Sequence, residues 1–361
     1  MPSQTLRIID ANCNRIGEGL RFLEDIARFA LNAAALSQQL RTMRHSLVKN
    51  LSKFGTNLLS ERDSEADVGI NIKSASGQKD LPSLVTANAK RVEEALRVME
   101  EIAKLPEISQ TLDSNDFKKV RFDLYALERE LLSKILRQHK AERLTGLYII
   151  LDTETLGMKG EIDAATKAIR GGAKVIQLRD KHRGKGELLV IAQELKNLCH
   201  KSDTLFIIND YLDIALATDA DGLHIGQTDL PLSVVREELP IDKIIGCSTA
   251  TPAQALKAEA EGADYIAAGS IFPTPSKKDA TVVGIEGLRQ IRQAITIPLV
   301  AIGGINKDNI AEVIAAGANA AAVISAVLAQ KDIEQATRQL VAEIEQKIQK
   351  TENHRESRSH C

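Results

Sequence analysis

Residues 298–326 read PLVAIGGINKDNIAEVIAAGANAAAVISA, and this stretch decides the fold. Pro298–Ile302 is a short apolar run of strand type, ended by Gly303-Gly304-Ile305. Asn306–Ala316 follows with helix-length amphipathic spacing. Gly317-Ala318 closes that helix, because glycine takes the left-handed position past a helix end without steric cost. A second apolar run then begins at Ala320–Ile324 and leads into Ser325. Strand, helix and returning strand make one βα unit of a parallel sheet.

The same grammar extends towards the N-terminus. Further strand-like runs are Leu147–Leu151, Lys174–Leu178, Leu205–Asn209, Gly222–Ile225, Lys243–Cys247 and Tyr265–Ala268. The Gly-Ala pair recurs at Gly172-Ala173 and Gly262-Ala263. Eight such units in about 200 residues predict an α/β fold of the TIM (β/α)8 type over residues 146–350. A doubly wound open sheet is the rival. No Gly-x-Gly-x-x-Gly opens the first helix, which disfavours a dinucleotide fold.

Residues 1–140 have a different grammar and predict an all-α domain preceding the barrel. Ile16, Leu20, Leu23, Ala27 and Ala30 form one apolar helical stripe. The segment from Ala11 to Arg21 matches that from Ala87 to Arg97, and Arg44 and Leu47 correspond to Arg121 and Leu124. The domain is therefore two copies of a helical hairpin, which can bury each other as a four-helix bundle. Phe54 to Lys79, with Arg62, Asp67, Val68 and Gly69, is a long polar connection between the copies. The repeated Asn12/Asn88, Arg15/Arg91, Glu18/Glu94, Arg21/Arg97 and Glu24/Glu100 read either as a polar site or as a salt-bridge ladder on a solvated helix face. Gly17 and Gly19 inside the first helix suggest close helix contact. Residues 351–361 are polar and expected to be a disordered tail.

The chain has 361 residues, net charge −2 and 27% charged residues. That balance argues against a nucleic-acid partner, so an anionic ligand must be held by a local cluster. The four cysteines, Cys13, Cys199, Cys247 and Cys361, make neither a metal spacing nor a disulfide framework. With no signal-peptide or membrane-span pattern, the expected location is the cytoplasm. The repeated apolar stripes make the helical domain a candidate for homo-oligomer assembly.

A TIM barrel carries its site at the carboxyl ends of its strands. The second strand ends Gln177-Leu178-Arg179-Asp180-Lys181, and alternation turns Val175, Gln177 and Arg179 inward, with Ile176 and Leu178 facing the helices. An inward amide and guanidinium require partners, either a heterocycle with a phosphate or an internal ion-pair layer. Asn209-Asp210 and Asp229 end the third and fourth strands, and two such carboxylates suit Mg2+. His224 reads as a hydrogen-bonded mouth residue, Cys247 as packing, and Ser248 as a hydroxyl facing the pocket. Gly303-Gly304 and Ser325 form the phosphate cradle usual at a barrel mouth. Residues 269–279, GSIFPTPSKKD, place Thr274, Ser276, Lys277 and Lys278 on one loop, which suits a flap that grips anions. Two anion sites without a dedicated nucleophile point to ionisation of a diphosphate followed by capture.

Gln177-Leu178-Arg179-Asp180-Lys181, Ile208-Asn209-Asp210, His224-x-Gly226-Gln227-x-Asp229-x-Pro231, Phe272-Pro273-Thr274-x-Ser276-Lys277 and Ala301-Ile302-Gly303-Gly304-Ile305 together resemble the thiamine phosphate synthase family. The resemblance runs from about Gly146 to Gln346, and the helical half looks like the extension of cyanobacterial-type members. It implies a transferase with two phosphorylated small-molecule substrates, hydroxymethylpyrimidine diphosphate and a thiazole phosphate or its carboxylate. It further implies that pyrophosphate is released and that Mg2+ is the cofactor. By motif, Gln177, Leu178, Arg179, Asp180, Lys181, Asn209, Ser248 and Lys277 would bind the pyrimidine diphosphate. Arg179, Lys277 and Ser248 would act in catalysis, and Asp210 and Asp229 would hold Mg2+. Thr274, Pro275, Ser276, Gly304, Ile324 and Ser325 would hold the thiazole phosphate. Tyr211, Ala250 and Ser276 stand where the family often has Arg, His and Thr. The alternatives are a thiazole tautomerase-like barrel, which should not need Arg179, Asp210, Asp229 and Lys277 together, and a non-catalytic ligand sensor.

Overall fold

A computed structural model describes residues 3–51, 80–274 and 282–359. The connection Phe54 to Lys79 and the flap residues Pro275, Ser276, Lys277 and Lys278 lie outside the described residues. The chain divides into two compact units, residues 1–136 and 137–361.

The first unit is helical. α1 is Ser3–Asp25, continued by a wider π turn at Ile26–Ala30, and α2 is Ala34–Leu51. α3 is Leu81–Ile102 and α4 is Ser114–Glu142. Asp80 starts α3 by accepting from the Ser83 amide at 2.9 Å, with Pro82 in the first turn, where a missing N–H costs nothing. One core takes Ile16, Leu20 and Leu23 from α1 and Leu40 and Leu47 from α2. It takes Val92, Leu96 and Met99 from α3 and Phe117, Leu124 and Leu131 from α4. The two helical glycines differ. A Cβ on Gly19 would lie 2.4 Å from Val92 Cγ2, so glycine lets α1 approach α3. A Cβ on Gly17 would meet nothing within 4 Å.

The second unit is a closed parallel barrel, which removes the open-sheet rival. Its strands are β1 Gly146–Asp152, β2 Val175–Arg179, β3 Leu205–Asn209, β4 Gly222–Ile225, β5 Ile244–Thr249, β6 Tyr265–Ala268, β7 Leu299–Ile302 and β8 Ala320–Val323. β1 pairs with both β2 and β8, closing the ring. Among the described residues the helices that follow are α5 Thr153–Leu156, α6 Glu161–Arg170, α7 Lys185–Lys201, α8 Leu212–Ala217, α9 Leu232–Glu238, α10 Pro252–Ala260, α11 Gly284–Ala294, α12 Ile310–Ala315, α13 Ser325–Leu328 and α14 Ile333–Ser359. Helix thus continues to Ser359 where the sequence suggested an irregular tail from Thr351.

Gly172, Gly262 and Gly317 have φ of 104°, 100° and 106°, and the alanine after each donates back into the last helical turn. Asp203 and Asp219 close α7 and α8 in the same way at φ of 50° and 51°. α12 starts later than its amphipathic pattern because Asn306 and Asn309 bind the loop. Asn309 Oδ1 accepts from the Asn306 amide, and Asn306 Oδ1 from the Asp308 amide, at 2.8 and 2.9 Å.

Strand alternation makes two apolar layers. Ile176, Leu178, Phe206, Ile208 and Ile266 face the helices. Tyr148, Ile150, Val175, Ile207, Tyr265 and Val300 fill the interior. Gly246 leaves room for the Tyr265 ring, whose Cζ would lie only 1.9 Å from a Cβ there.

Candidate functional site

The strand register sets Asp152 of β1 beside Arg179 of β2. The Arg179 guanidinium donates to Asp152 Oδ2. Asp152 is buried, and its Oδ1 accepts from the Thr155 amide at 2.9 Å and hydroxyl at 2.8 Å, capping α5. Arg179 is therefore aimed by an internal ion pair while its side chain stays 30% exposed at the mouth. Sequence reasoning missed Asp152, because the pairing depends on register between strands far apart in the chain.

Asp180 is turned into its own loop, where Oδ1 accepts from the His182 and Arg183 amides at 2.8 and 2.9 Å. Burial opposes ionisation of Asp180. The amides of Arg183 and His182 and the Arg183 charge outweigh it and hold the carboxyl below its ordinary range. Its side chain thus braces the β2–α7 loop, and Leu178 packs towards the helices.

Asp210 follows β3 in a left-handed backbone conformation, φ 63°, with its amide bonded to the His224 carbonyl at 2.9 Å. Its carboxyl is placed to share a hydrogen bond with that of Asp229 when one of the two is protonated. Burial, then that hydrogen bond and the Asp229 charge, push Asp210 up to about 6, against the opposing charges of Lys181 and Arg179. Asp229 is held in turn by the Gly226 amide at 2.6 Å. Two repelling carboxylates with two cations close by form an acidic pair suited to a hard divalent ion. Among the described residues no group of three or more metal-type side chains occurs, so any ion here would complete its shell from ligand or water.

Gln177, buried, donates through Nε2 to the Tyr148 hydroxyl at 2.8 Å. Tyr148 and Tyr265 hydroxyls are 3.1 Å apart, and Tyr265 is 3.1 Å from His224 Nδ1. His224 Nε2 lies 2.9 Å from Ser248 Oγ. Burial pushes His224 down to about 4, so its imidazole is neutral. No local pattern marks Tyr148 and Tyr265 as members of this chain, since both sit in apolar runs. Asn209 lies level with His224 at the β3–β4 mouth.

On the opposite side, Gly303 and Gly304 have φ of 101° and 66°. A Cβ on Gly304 would lie 2.7 Å from Phe272 Cβ and 2.8 Å from the Pro273 carbonyl. The turn after β7 is thus pressed against the loop after β6 that leads to Thr274, and the Phe272 amide donates to the Gly303 carbonyl at 3.0 Å. Ile324 packs half-buried and Ser325 is exposed at the start of α13. Of the residues at family departures, Tyr211 lies 5.5 Å from Lys185 Nζ, and the Ala250 amide donates to Gln254 Oε1 at 2.8 Å.

In the helical unit the repeated residues split into two groups. Glu24 pairs with Arg44 at 2.9 Å and Glu100 with Arg121 at 3.0 Å, equivalent links in the two hairpins. Asn12, Arg15 and Glu18 with Asn88, Arg91 and Glu94 line a groove of about 480 Å³ between α1 and α3.

Residues 147–327 match the family model described as thiamine monophosphate synthase, and residues 7–130 match the ThiD2 family. A thiamine-phosphate synthase from Synechocystis sp. is 38% identical over 345 residues, covering 95% of this chain and 97% of that protein. One from Thermosynechococcus vestitus is 39% identical over 346 residues, covering 94% and 95%. The solved thiamine phosphate pyrophosphorylase from Pyrococcus furiosus is 43% identical, covering 58% of this chain and 98% of its own, with a TM-score of 0.54. With a parallel barrel bearing these residues at its mouth and near-full-length likeness to such transferases, the chain belongs to the thiamine-phosphate synthase family.

Proposed function

We propose that the barrel mouth joins hydroxymethylpyrimidine diphosphate to a thiazole phosphate, giving thiamine phosphate and pyrophosphate. The observation that carries this reading is the Asp210–Asp229 pair beside Arg179 and Lys181, with Gln177 and Ser248 on the adjoining wall.

Asp210 and Asp229 are the residues that would hold Mg2+, whose bound charge would neutralise that of the diphosphate. Arg179, held by Asp152, presents a fixed positive charge to the same group. Lys181 and Lys277 add ammonium donors, and Asn209 and Ser248 complete the binding of the pyrimidine diphosphate. Gln177 presents an amide to the aminopyrimidine. The methylene C–O bond breaks, its electron pair leaves with the diphosphate, and the electron-rich aminopyrimidine stabilises the resulting cation. The thiazole nitrogen then donates its lone pair to that methylene carbon. Gly304, Ile324 and Ser325 fix the thiazole phosphate, so the attack is made within a bound pair. By motif, Thr274, Pro275 and Ser276 would also contact the thiazole phosphate, and keeping water from the cation would prevent its quenching.

The test is pyrophosphate release by the purified full chain given both substrates and Mg2+. Release that yields thiamine phosphate in equal amount is expected. No release would sink the reading.

A further inference from the structure

The five side chains from Gln177 to Ser248 form one continuous hydrogen-bonded chain across the barrel interior. Its links are 2.8, 3.1, 3.1 and 2.9 Å long, from Gln177 through Tyr148, Tyr265 and His224 to Ser248. Such a chain has a direction, because each phenol carries one proton and a neutral imidazole carries one N–H. Tyr148 accepts from the Gln177 amide, so its own proton goes to Tyr265. The Tyr265 proton goes to His224 Nδ1. The imidazole N–H is then on Nε2 and is donated to Ser248 Oγ. The Ser248 proton is left to point away from His224.

We propose that Tyr265 and His224, with Tyr148 behind them, are positioning residues that make Ser248 an obligate hydrogen-bond donor to the diphosphate. This rests on the synthase reading of the site. An amide can present either end to Tyr148, and a reversed Gln177 would reverse every link. The substrate decides between the two. An exocyclic amine can only donate, so it faces Gln177 Oε1 and leaves Nε2 for Tyr148. Diphosphate oxygens at the far end can only accept, so Ser248 must donate to them. Both ends demand the same direction, and one substrate supplies both ends.

The surroundings hold the chain in this state. Burial raises both phenols above their ordinary range, keeping their protons in place. The His224 ring stacks on Tyr265 with centroids 5.6 Å apart, which fixes its plane. The glycine at position 246 gives Tyr265 the space to lie there. Gln227 Nε2 donates to the Ser248 carbonyl at 2.7 Å, fixing the backbone that carries the hydroxyl.

The direct test is the nitrogen NMR spectrum of ¹⁵N-histidine-labelled full-length protein saturated with the pyrimidine diphosphate and without the thiazole, with His224 assigned by its loss in His224→Gln. A protonated Nε2 and a bare Nδ1 are expected at neutral pH. A protonated Nδ1, or an imidazolium, would overturn the proposal. The second test is a cycle of Tyr265→Phe, Ser248→Ala and the double variant. Tyr265→Phe should lower kcat by about tenfold, the size of one lost hydrogen bond. The double variant should be no slower than Ser248→Ala alone. Independent, multiplying losses would overturn the relay, as would full activity in Tyr265→Phe. An inactive wild type would defeat the synthase reading and leave the tautomer result standing. An active wild type with Nδ1–H would defeat the relay alone.

Discussion

In the helical unit, Glu24 and Glu100 each meet an arginine of the following helix, and both carboxylates are almost fully buried. In the barrel interior, Tyr148, Tyr265 and His224 meet one another without any formal charge. The first arrangement occurs twice, once per hairpin, and ends on itself. The second occurs once and ends on Ser248 at the strand mouth. The repeated glutamate–arginine pair marks what holds helices together, whereas the unrepeated polar chain marks the side where chemistry is proposed.

The largest expected effect bears on the first half of that comparison. Arg121→Ala leaves the Glu100 carboxylate buried with only the half-exposed Arg97 as partner. Removing one member of a buried pair should cost about 3 kcal/mol in urea unfolding of the helical unit. Pyrophosphate release should be unaffected, and a matching fall in kcat would break the division of labour. Next comes the flap. Lys277→Ala should lower kcat by about 10²–10³, the range for losing one transition-state donor, and full activity would remove Lys277 from the mechanism.

A smaller effect should appear in the pH dependence of stability. Asp210 keeps its proton up to about 6 in the folded protein, against 3.8 for the free side chain. Between these values the folded state binds more protons than the unfolded one, so stability falls as pH rises. The contribution is fully present below the free value and lost as pH rises through about 6. Asp210→Asn should therefore raise the Tm of metal-free protein relative to wild type more at about pH 8 than at about pH 4. A difference that is flat with pH would contradict the acidic pair. The smallest effect returns to the helices. Gly17→Ala should stabilise by roughly 0.5–1 kcal/mol, because its methyl meets nothing. Gly19→Ala should destabilise, because Val92 stands in the way. Equal effects would remove the close α1–α3 approach.

Much of the barrel was legible in the chain because strand alternation and the Gly-Ala helix ends are local signals. Leu205–Asn209, Gly222–Ile225 and Tyr265–Ala268 coincide with observed strands, and the other strands differ from the runs by at most two residues at an end. Inward Gln177 followed from period-two geometry. Asp203 and Asp219 closing helices were not legible, since aspartate in the left-handed region has no spacing signature. Asp152 holding Arg179 and Tyr265 holding His224 are long-range pairings set by barrel closure, which no local pattern records. The Asp180 side chain shows the opposite limit. Its motif marks it as a substrate contact, while its hydrogen bonds serve the loop that carries Lys181.

The central claim is that the barrel mouth performs the transfer. Its most direct test is pyrophosphate release by the full chain with both substrates and Mg2+, compared with an Asp210→Asn, Asp229→Asn double variant of unchanged fold. Rapid release by the wild type and its near-complete loss in the double variant are predicted. Undiminished release by the double variant would contradict the account.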